Sequence, residues 1–315
     1  MFKDFTQLGI LGINRRIGEF ILPYNPRHLY PLVDNKIKTY QLCLENGIPS
    51  PTHYWQVQSH GELKEMSRHL SEHASFAIKP CRGAMGNGIL IVNDVNWLDN
   101  GELWSFKTSK GDLKKKDLEY FISGILSGMY SLSGLPDEAI IQEKLNSHSA
   151  IARFSYRGIA DIRVIVFKGY PVMAMLRLPT SQSRGRANLH QGAVGCGVDL
   201  ATGSVCHAIW QNRNITTHPD TDETLATLKL PYWEEILTMA VKCYEITGMG
   251  YLGVDIVLDE ERGPLLLEVN ARPGLSIQTA NMAGLLPRLR LVKGQPEVLS
   301  PKKKVKFAME NFPAS

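Results

Sequence analysis

The chain has no C-x-x-C pair, and its five cysteines (Cys43, Cys81, Cys196, Cys206 and Cys243) form an odd, scattered set. That pattern argues against a disulfide framework and offers no zinc-ligand spacing, so a reducing cytoplasm is the simplest compartment. The N-terminus, MFKDFTQLGILGINRRIGEF, is charged at both ends, and its apolar run is too short to cross a bilayer. The layout of a secretory signal, with basic start, apolar run and small-residue cleavage site, is missing too. Aromatic residues make up 8% of the chain without forming a base-stacking motif, and the formal charge is only +4. Such mild basicity suits an anionic small ligand such as a nucleotide and gives no reason to expect nucleic acid. Neither G-x-x-x-x-G-K-[ST] nor a dinucleotide fingerprint occurs, and there is no repeat or low-complexity segment.

What is present is 315 residues, 43% hydrophobic and 21% charged, enough for one large or two medium globular domains. NKIKTYQLCLEN (35–46) has helical apolar spacing and stops at Gly47. Residues 61–72 predict a second helix. SFAIKP (75–80) and ILIV (89–92) predict strands around the glycine-rich RGAMGNG (82–88). Residues 94–137 are polar and less regular, with a helix expected in KKKDLEYFISGILSGMY. AIIQEKL (139–145) predicts a short buried strand, and 160–167 with 171–178 a hairpin around Lys168-Gly169-Tyr170. SRGRANLHQGAVG (183–195) reads as a polar loop, and 231–248 as an amphipathic helix between Pro231 and Gly248. YLGVDIVLD (251–259) and PLLLEVN (264–270) predict a second strand pair. Strands and helices mix without regular β-α-β alternation, so the fold class is α+β. SPKKKVKF (300–307) looks like a localisation run, but a solvated basic tail, or one touching acidic partners, is the simpler reading.

GPLLLEVNARPGL (263–275) is the most informative stretch. Alternation puts Glu268 and Asn270 on one face of a strand. Two oxygen-bearing side chains so placed can share a hard cation, and Mg²⁺ uses few protein oxygens alongside phosphate and water. The plain alternative is a strand leaving the core. In GVDIV, Asp255 lies among apolar neighbours, where a carboxylate must be paired or metal-bound. Pairing of 251–259 with 264–270 brings it towards Glu268 and Asn270, while a salt-bridged Asp255 is the competing reading. Lys79 precedes the glycine-rich loop, whose glycines let backbone N–H groups approach phosphate, although the same stretch also suits a hairpin.

Taken in order, these motifs resemble the ATP-grasp superfamily, and within it RimK-type α-L-glutamate ligases and their ligase-like branch. The resemblance runs from about Asn35 to Gly284 and is strongest from Gln142 to Gly274. It implies two mixed α/β subdomains with the nucleotide between them, behind a shortened N-terminal domain. NKIKTYQLCLENGIP is similar to the family's lysine-bearing helix, so Lys36 would reach the phosphates. FAIKP supplies the second lysine, Lys79. RGAMGNGI is similar to the loop over the phosphates, with Gly83, Gly86 and Gly88. IIQEKL resembles the hinge strand, placing Gln142, Glu143 and Lys144 at the nucleotide, with backbone groups at Glu143 and Lys144 reading adenine. In ADIRV, Asp161 would serve the nucleotide and Arg163 the reaction centre. RANLHQG would put Arg186 and Asn188 by the γ-phosphate and acyl group. GVDIV and LEVNARPGL would give Asp255, Glu268 and Asn270 to two Mg²⁺, with Mn²⁺ an alternative. Seven motifs in family order carry the resemblance.

The implied activity is an ATP-dependent, ADP-forming carboxylate–amine ligase working through an acyl phosphate, with glutamate, another amino acid or a peptide as substrate. An ATP-grasp small-molecule kinase and a nucleotide-binding regulatory protein are the alternatives. The expected organisation is a short segment 1–34, an ATP-grasp domain 35–290 (lid about 50–140, larger part 141–290) and a basic tail 291–315. Partners would be ATP, a carboxylate and an amine, with neither nucleic acid nor membrane, in the cytoplasm, as monomer or homo-oligomer. Three features depart from the family pattern: only about 35 residues precede Lys36, 94–137 looks inserted, and 145–160 lengthens the step from hinge to D-I-R. Arg272 stands where some relatives have a small residue, and could bind a substrate carboxylate or cap a helix.

Overall fold

A computed structural model of the protein describes residues 9–83, 86–98, 103–131 and 134–314. The chain divides into two compact units: Met1–Asp34, Lys38–Ser50 and Asn146–Ser315 form the larger, Asn35–Ile37 and Pro51–Leu145 the smaller. Both combine a sheet with helices, the mixed architecture expected from the sequence. Helix α1 (Lys36–Glu45) ends as its sequence requires. Gly47 takes φ 61° and the Ile48 N–H returns to Cys43 O at 2.9 Å, a glycine-dependent C-terminal cap.

The smaller unit holds strands β1 (His53–Val57), β2 (Phe76–Pro80), β3 (Leu90–Trp97), β4 (Leu103–Thr108), β5 (Gly111–Lys114) and β6 (Ala139–Glu143), with helix α2 (Lys115–Leu126). They form one antiparallel sheet in the order β1-β6-β2-β3-β4-β5. Val57, Phe76, Phe106, Leu118, Ile122 and Ile141 belong to its core. Residues 94–137, expected to be irregular outside one helix, contain the end of β3, all of β4 and β5, and α2. Two features hid the strands. A register shift beside Asn96–Trp97 breaks the period of two, and edge strand β5 leaves Gly111, Asp112 and Lys114 exposed.

In the larger unit β7 (Asp161–Phe167), β8 (Tyr170–Leu178), β9 (Val194–Val198), β10 (Val205–Trp210), β11 (Arg213–Asn214), β12 (Tyr251–Asp259) and β13 (Gly263–Asn270) form an antiparallel sheet. Its order is β11-β10-β9-β8-β7-β12-β13. Helices α3 (Trp233–Thr247), α4 (Ser276–Ala280), α5 (Leu286–Lys293) and α6 (Pro301–Asn311) complete it. The β12–β13 turn is organised by Asp259, whose Oδ1 accepts the Glu261 and Arg262 N–H groups at 3.0 and 3.2 Å. Alpha-helix α4 lies directly on β9. A Cβ at Gly197 would stand 2.5 Å from Ala280 O, so glycine is required there. The 301–311 part of the expected basic tail is a packed helix rather than a solvated arm. Lys304 is 1% exposed, with Nζ 4.7 and 5.6 Å from the ring centroids of Tyr244 and Tyr170, while Lys302, Lys303 and Lys306 face solvent. Among the described residues no helix is long and apolar enough to cross a membrane.

The N-terminal segment passes through helical turns Ile13–Arg15, Arg16–Ile21 and Leu22–Tyr24 and is fastened by Asn25. The Asn25 amide donates to Tyr251 O at 2.7 Å and Ala271 O at 3.0 Å, and its Oδ1 accepts the Tyr251 N–H at 2.9 Å. Asn25→Ala would orphan these buried backbone groups, at about 1–3 kcal/mol each. A marked fall in the urea midpoint is expected on denaturation, and an unchanged midpoint would show that the fastening is unimportant.

Candidate active site

Register alone gathers most of the expected residues of the larger unit. Directly opposed residues of antiparallel strands share a face. Asp161 opposes Arg177, Arg163 opposes Asp255, Asp255 opposes Glu268 and Gly253 opposes Asn270. Asp161, Arg163, Arg177, Asp255, Glu268 and Asn270 therefore occupy one face of β8-β7-β12-β13. The opposition of Asp255 to Glu268 depends on a register shift just beyond them, where Ile256 opposes Leu266 and Leu267 is left over.

Four of these side chains form a charge network in which the two carboxylates are buried and the two guanidiniums half-buried. The guanidinium of Arg163 donates through Nε to Asp255 Oδ1 at 2.7 Å and through Nη2 to Oδ2 at 2.5 Å. That of Arg177 donates to both oxygens of Asp161, through Nη2 to Oδ2 at 2.6 Å, and reaches Asp255 Oδ2 at 2.8 Å. Asp161 is 7% exposed and Asp255 3%, so the pairing offsets a large desolvation cost. Burial, which Arg177 opposes and the Asp255 charge reinforces, pushes Asp161 up to about 6. Burial also works against the charge on Asp255, but Arg163 and Arg177 outweigh it and hold that carboxylate below its ordinary range. The salt-bridged reading of Asp255 is thus realised. Sequence reasoning missed Arg177, although the signal was there: an arginine inside the apolar run PVMAMLRL, the mirror of Asp255 inside GVDIV.

A hard cation needs oxygen lone pairs. Among the described residues Glu268 has no hydrogen-bond or ion-pair partner, and it is half-buried. The Oδ1 of Asn270 accepts the Arg272 N–H at 2.8 Å, and Asp255 Oδ1 accepts one bond from Arg163; each keeps a lone pair. Each of the three residues thus keeps oxygen lone pairs on the shared face, the donor type a divalent ion uses, with Asp255 the most heavily committed. No group of three or more His, Cys, Asp or Glu side chains suits a metal among the described residues, so the set depends on the Asn270 amide.

The RANLHQG loop stands over the neighbouring strands. Its Asn188 side chain caps the turn Leu189–Gln191 by accepting the His190 N–H at 2.9 Å, and Arg186 Nη1 donates to Gln191 Oε1 at 3.1 Å. Leu189 covers Gly195, where a Cβ would lie 2.7 Å from its side chain, and Gly195 opposes Arg177. The loop thus adjoins the charge network. Arg272 is already engaged: Nη2 lies 3.1 and 3.3 Å from the Asp34 carboxylate oxygens, and the guanidinium sits 4.9 Å from the Tyr30 ring centroid.

In the smaller unit, Lys36 Nζ donates to Gly83 O at 2.8 Å and Cys81 O at 3.4 Å, which brings the first lysine to the glycine-rich loop. A Cβ at Gly83 would meet Pro80 at 2.2 Å, and Gly86 and Gly88 take φ 71° and 74°. Residues 84 and 85 of this loop lie outside the described residues. Lys79 is buried and shares a face with Gln142, whose Oε1 is buried with no partner among the described residues. Opposite Gln142 stands His53. Burial, then the Lys79 charge, depress its pKa to about 3, so it is a neutral hydrogen-bonding group there. Of the expected hinge groups, the Glu143 N–H is donated to Thr52 O at 2.9 Å.

The family described as sugar-transfer associated ATP-grasp matches residues 15–294. A protein of Syntrophotalea carbinolica named probable alpha-L-glutamate ligase is 30% identical over 151 residues, 48% of this chain and 36% of that one. The ATP-grasp ligase PsnB complexed with minimal precursor aligns at 16% identity over 84% of this chain and 60% of its own, TM-score 0.45. D-alanyl-alanine synthetase A of Vibrio cholerae O1 biovar eltor aligns at 11% identity over 90% of this chain and 66% of its own, TM-score 0.47. The chain thus spans 36% of the S. carbinolica protein and 60% of PsnB. Because the family match extends over most of its length, from 15 to 294, the chain belongs to the sugar-transfer associated ATP-grasp family.

Proposed function

We propose that the chain is an ATP-dependent carboxylate–amine ligase that forms ADP, phosphate and an amide through an acyl phosphate. The observation that carries this is the shared face of Asp255, Glu268 and Asn270, with a carboxylate at Glu268 that has no partner among the described residues. Those three side chains would hold Mg²⁺, two ions or one, with Mn²⁺ able to substitute; when bound, the metal neutralises charge on the transferring phosphoryl group. The finer assignment, to a RimK-type ligase using glutamate or a peptide end, is supported by the match to the probable alpha-L-glutamate ligase. We place the protein in the cytoplasm, where ATP is abundant and its five unpaired cysteines would stay reduced.

The chemistry divides into two transfers. A carboxylate oxygen of the acid attacks the γ-phosphorus of ATP, the bond to the β,γ-bridging oxygen breaks, and ADP leaves. The amine then attacks the acyl carbon, phosphate departs with the former carboxylate oxygen, and the amine loses a proton. This chemistry requires positioning and charge compensation rather than a protein nucleophile. We assign phosphate neutralisation to Lys36, Lys79 and Arg186, and the cover over the phosphates to Gly83, Gly86 and Gly88. Gln142, Glu143, Lys144 and Asp161 are assigned to the nucleotide, and Arg163 and Asn188 to the developing charge at the acyl centre. Arg272 would accept a substrate carboxylate by exchanging it for Asp34.

Glu268→Gln removes a charge at the metal whereas Asn270→Asp adds one, so the two variants should behave differently. The first is expected to lower turnover well over tenfold, since such charge stabilisation is worth several kcal/mol. Near-normal turnover in purified Glu268→Gln would remove Glu268 from the metal site. Mg-ATP should also lower protease sensitivity and amide exchange across residues 82–88, and an unaltered loop would argue for a plain hairpin.

A hydroxylamine trap separates the ligase from a kinase. With hydroxylamine in place of the amine, a hydroxamate should form that depends on both ATP and the acid, and phosphate should be released in equal amount. A stable phosphate ester on a hydroxyl of the acceptor, without phosphate release, would identify a kinase instead.

A further inference from the structure

We propose that Arg177 is a positioning residue of the metal–nucleotide site, acting through Asp255. This rests on the reading of Asp255 as a metal ligand given above. Arg177 lies on β8, and Asp255 on β12, with β7 between them. Neighbouring strands are about 4.8 Å apart, so the contact at Asp255 crosses two strand spacings. The cross-strand partner of Arg177 is Asp161, which takes bonds from both Nε and Nη2. The same Nη2 then reaches Asp255 Oδ2 at 2.8 Å. One planar guanidinium therefore fixes two carboxylates on different strands, a task suited to its rigid fork.

The consequence for Asp255 is directional. Arg163 holds both of its oxygens, while Arg177 adds its bond at Oδ2 alone. Oδ2 thus accepts two donors and Oδ1 one. The lone pair left on Oδ1 is the one Asp255 can offer to a cation, and Arg177 fixes which oxygen that is. Partners that orient a metal-binding carboxylate in this way typically carry about 10–100-fold in metal affinity. Side-chain exposure of Arg177 is 11% and that of Asp255 4%, so solvent does not supply a substitute for the missing donor.

The lysine variant isolates this role. In Arg177→Lys the charge is kept and Asp161 remains within reach, but a single ammonium cannot bond both carboxylates across two strand spacings. The full-length chain should stay folded. Its Mn²⁺ affinity in the presence of ADP, read by electron paramagnetic resonance of free Mn²⁺, should fall about tenfold or more. The KM for ATP should change less than the Mn²⁺ half-saturation. Arg177→Met should show the same loss, and if it fails to fold, Arg177→Met combined with Asp161→Asn removes one charge of each sign and should fold with weakened Mn²⁺ binding. Folded Arg177→Lys, or the folded double variant, with wild-type Mn²⁺ affinity would overturn the proposal. Absence of Mn²⁺ binding by the wild-type chain with ADP would overturn the reading of the site itself, and this inference with it.

Discussion

Four paired charges on one sheet face, the two aspartates buried and the two arginines half-buried, are the constraint on which the larger unit depends. Asp161, Arg163, Arg177 and Asp255 come from three adjacent strands, and each is paired with its opposite sign. Losing one partner leaves a buried charge uncompensated, at about 3–5 kcal/mol. Such a network tolerates little strand slippage: a shift of one residue between β7 and β12 would send Asp255 or Arg163 to the other face. The network therefore ties the strand register to the placement of these side chains on one face. The pairing with β7 sets Asp255 on the face it shares with the arginines, and the separate register of β13, with Leu267 left over, puts Glu268 opposite it.

The remainder of the larger unit reads as support for that face. Gly197 lets α4 lie on β9. Pro273 covers Gly253, where a Cβ would stand 2.5 Å from it, so the turn after LEVN folds back over its own sheet. Asn25 closes the adjoining strand ends through three hydrogen bonds. Rigid surroundings matter because a metal or phosphate site loses much of its effect when its groups are displaced by even an ångström.

The strand pair carrying the expected metal ligands was legible in the sequence because GVDIV and LEVN join period-two alternation to misplaced oxygen ligands. The Gly47 stop and the 231–248 helix were legible from their caps. Three things were not. The left-over Leu267 cannot be seen from alternation, since PLLLEVN offers apolar residues at every register. Strand β5 is the sheet edge and β4 lies between β3 and the exposed β5, so their residues vary in polarity without a clean period. Lys304 reads as a surface charge in KKKVK, and its burial depends on two tyrosines distant in sequence. In each case the deciding contact is tertiary. Of the site residues, Arg177 was visible in principle, because a charge in an apolar strand demands a partner. It was overlooked because its partners lie on other strands.

The charge balance of the network bears on what the face can attract. Two aspartates and two arginines cancel, so despite four ionised groups the quartet presents no net charge. Among the six residues of that face, Glu268 is outside those pairings and adds one negative charge. A lone carboxylate beside neutral Asn270 would bind a divalent ion weakly by itself, leaving most coordination positions to other oxygens. That is the division of labour expected of Mg²⁺ delivered with a nucleotide, where phosphate oxygens and water complete the shell. A dedicated all-protein cation site would need more acidic oxygens. On the proposed reading, the anionic capacity at Glu268 suits a metal that arrives with phosphate better than one held permanently by the protein.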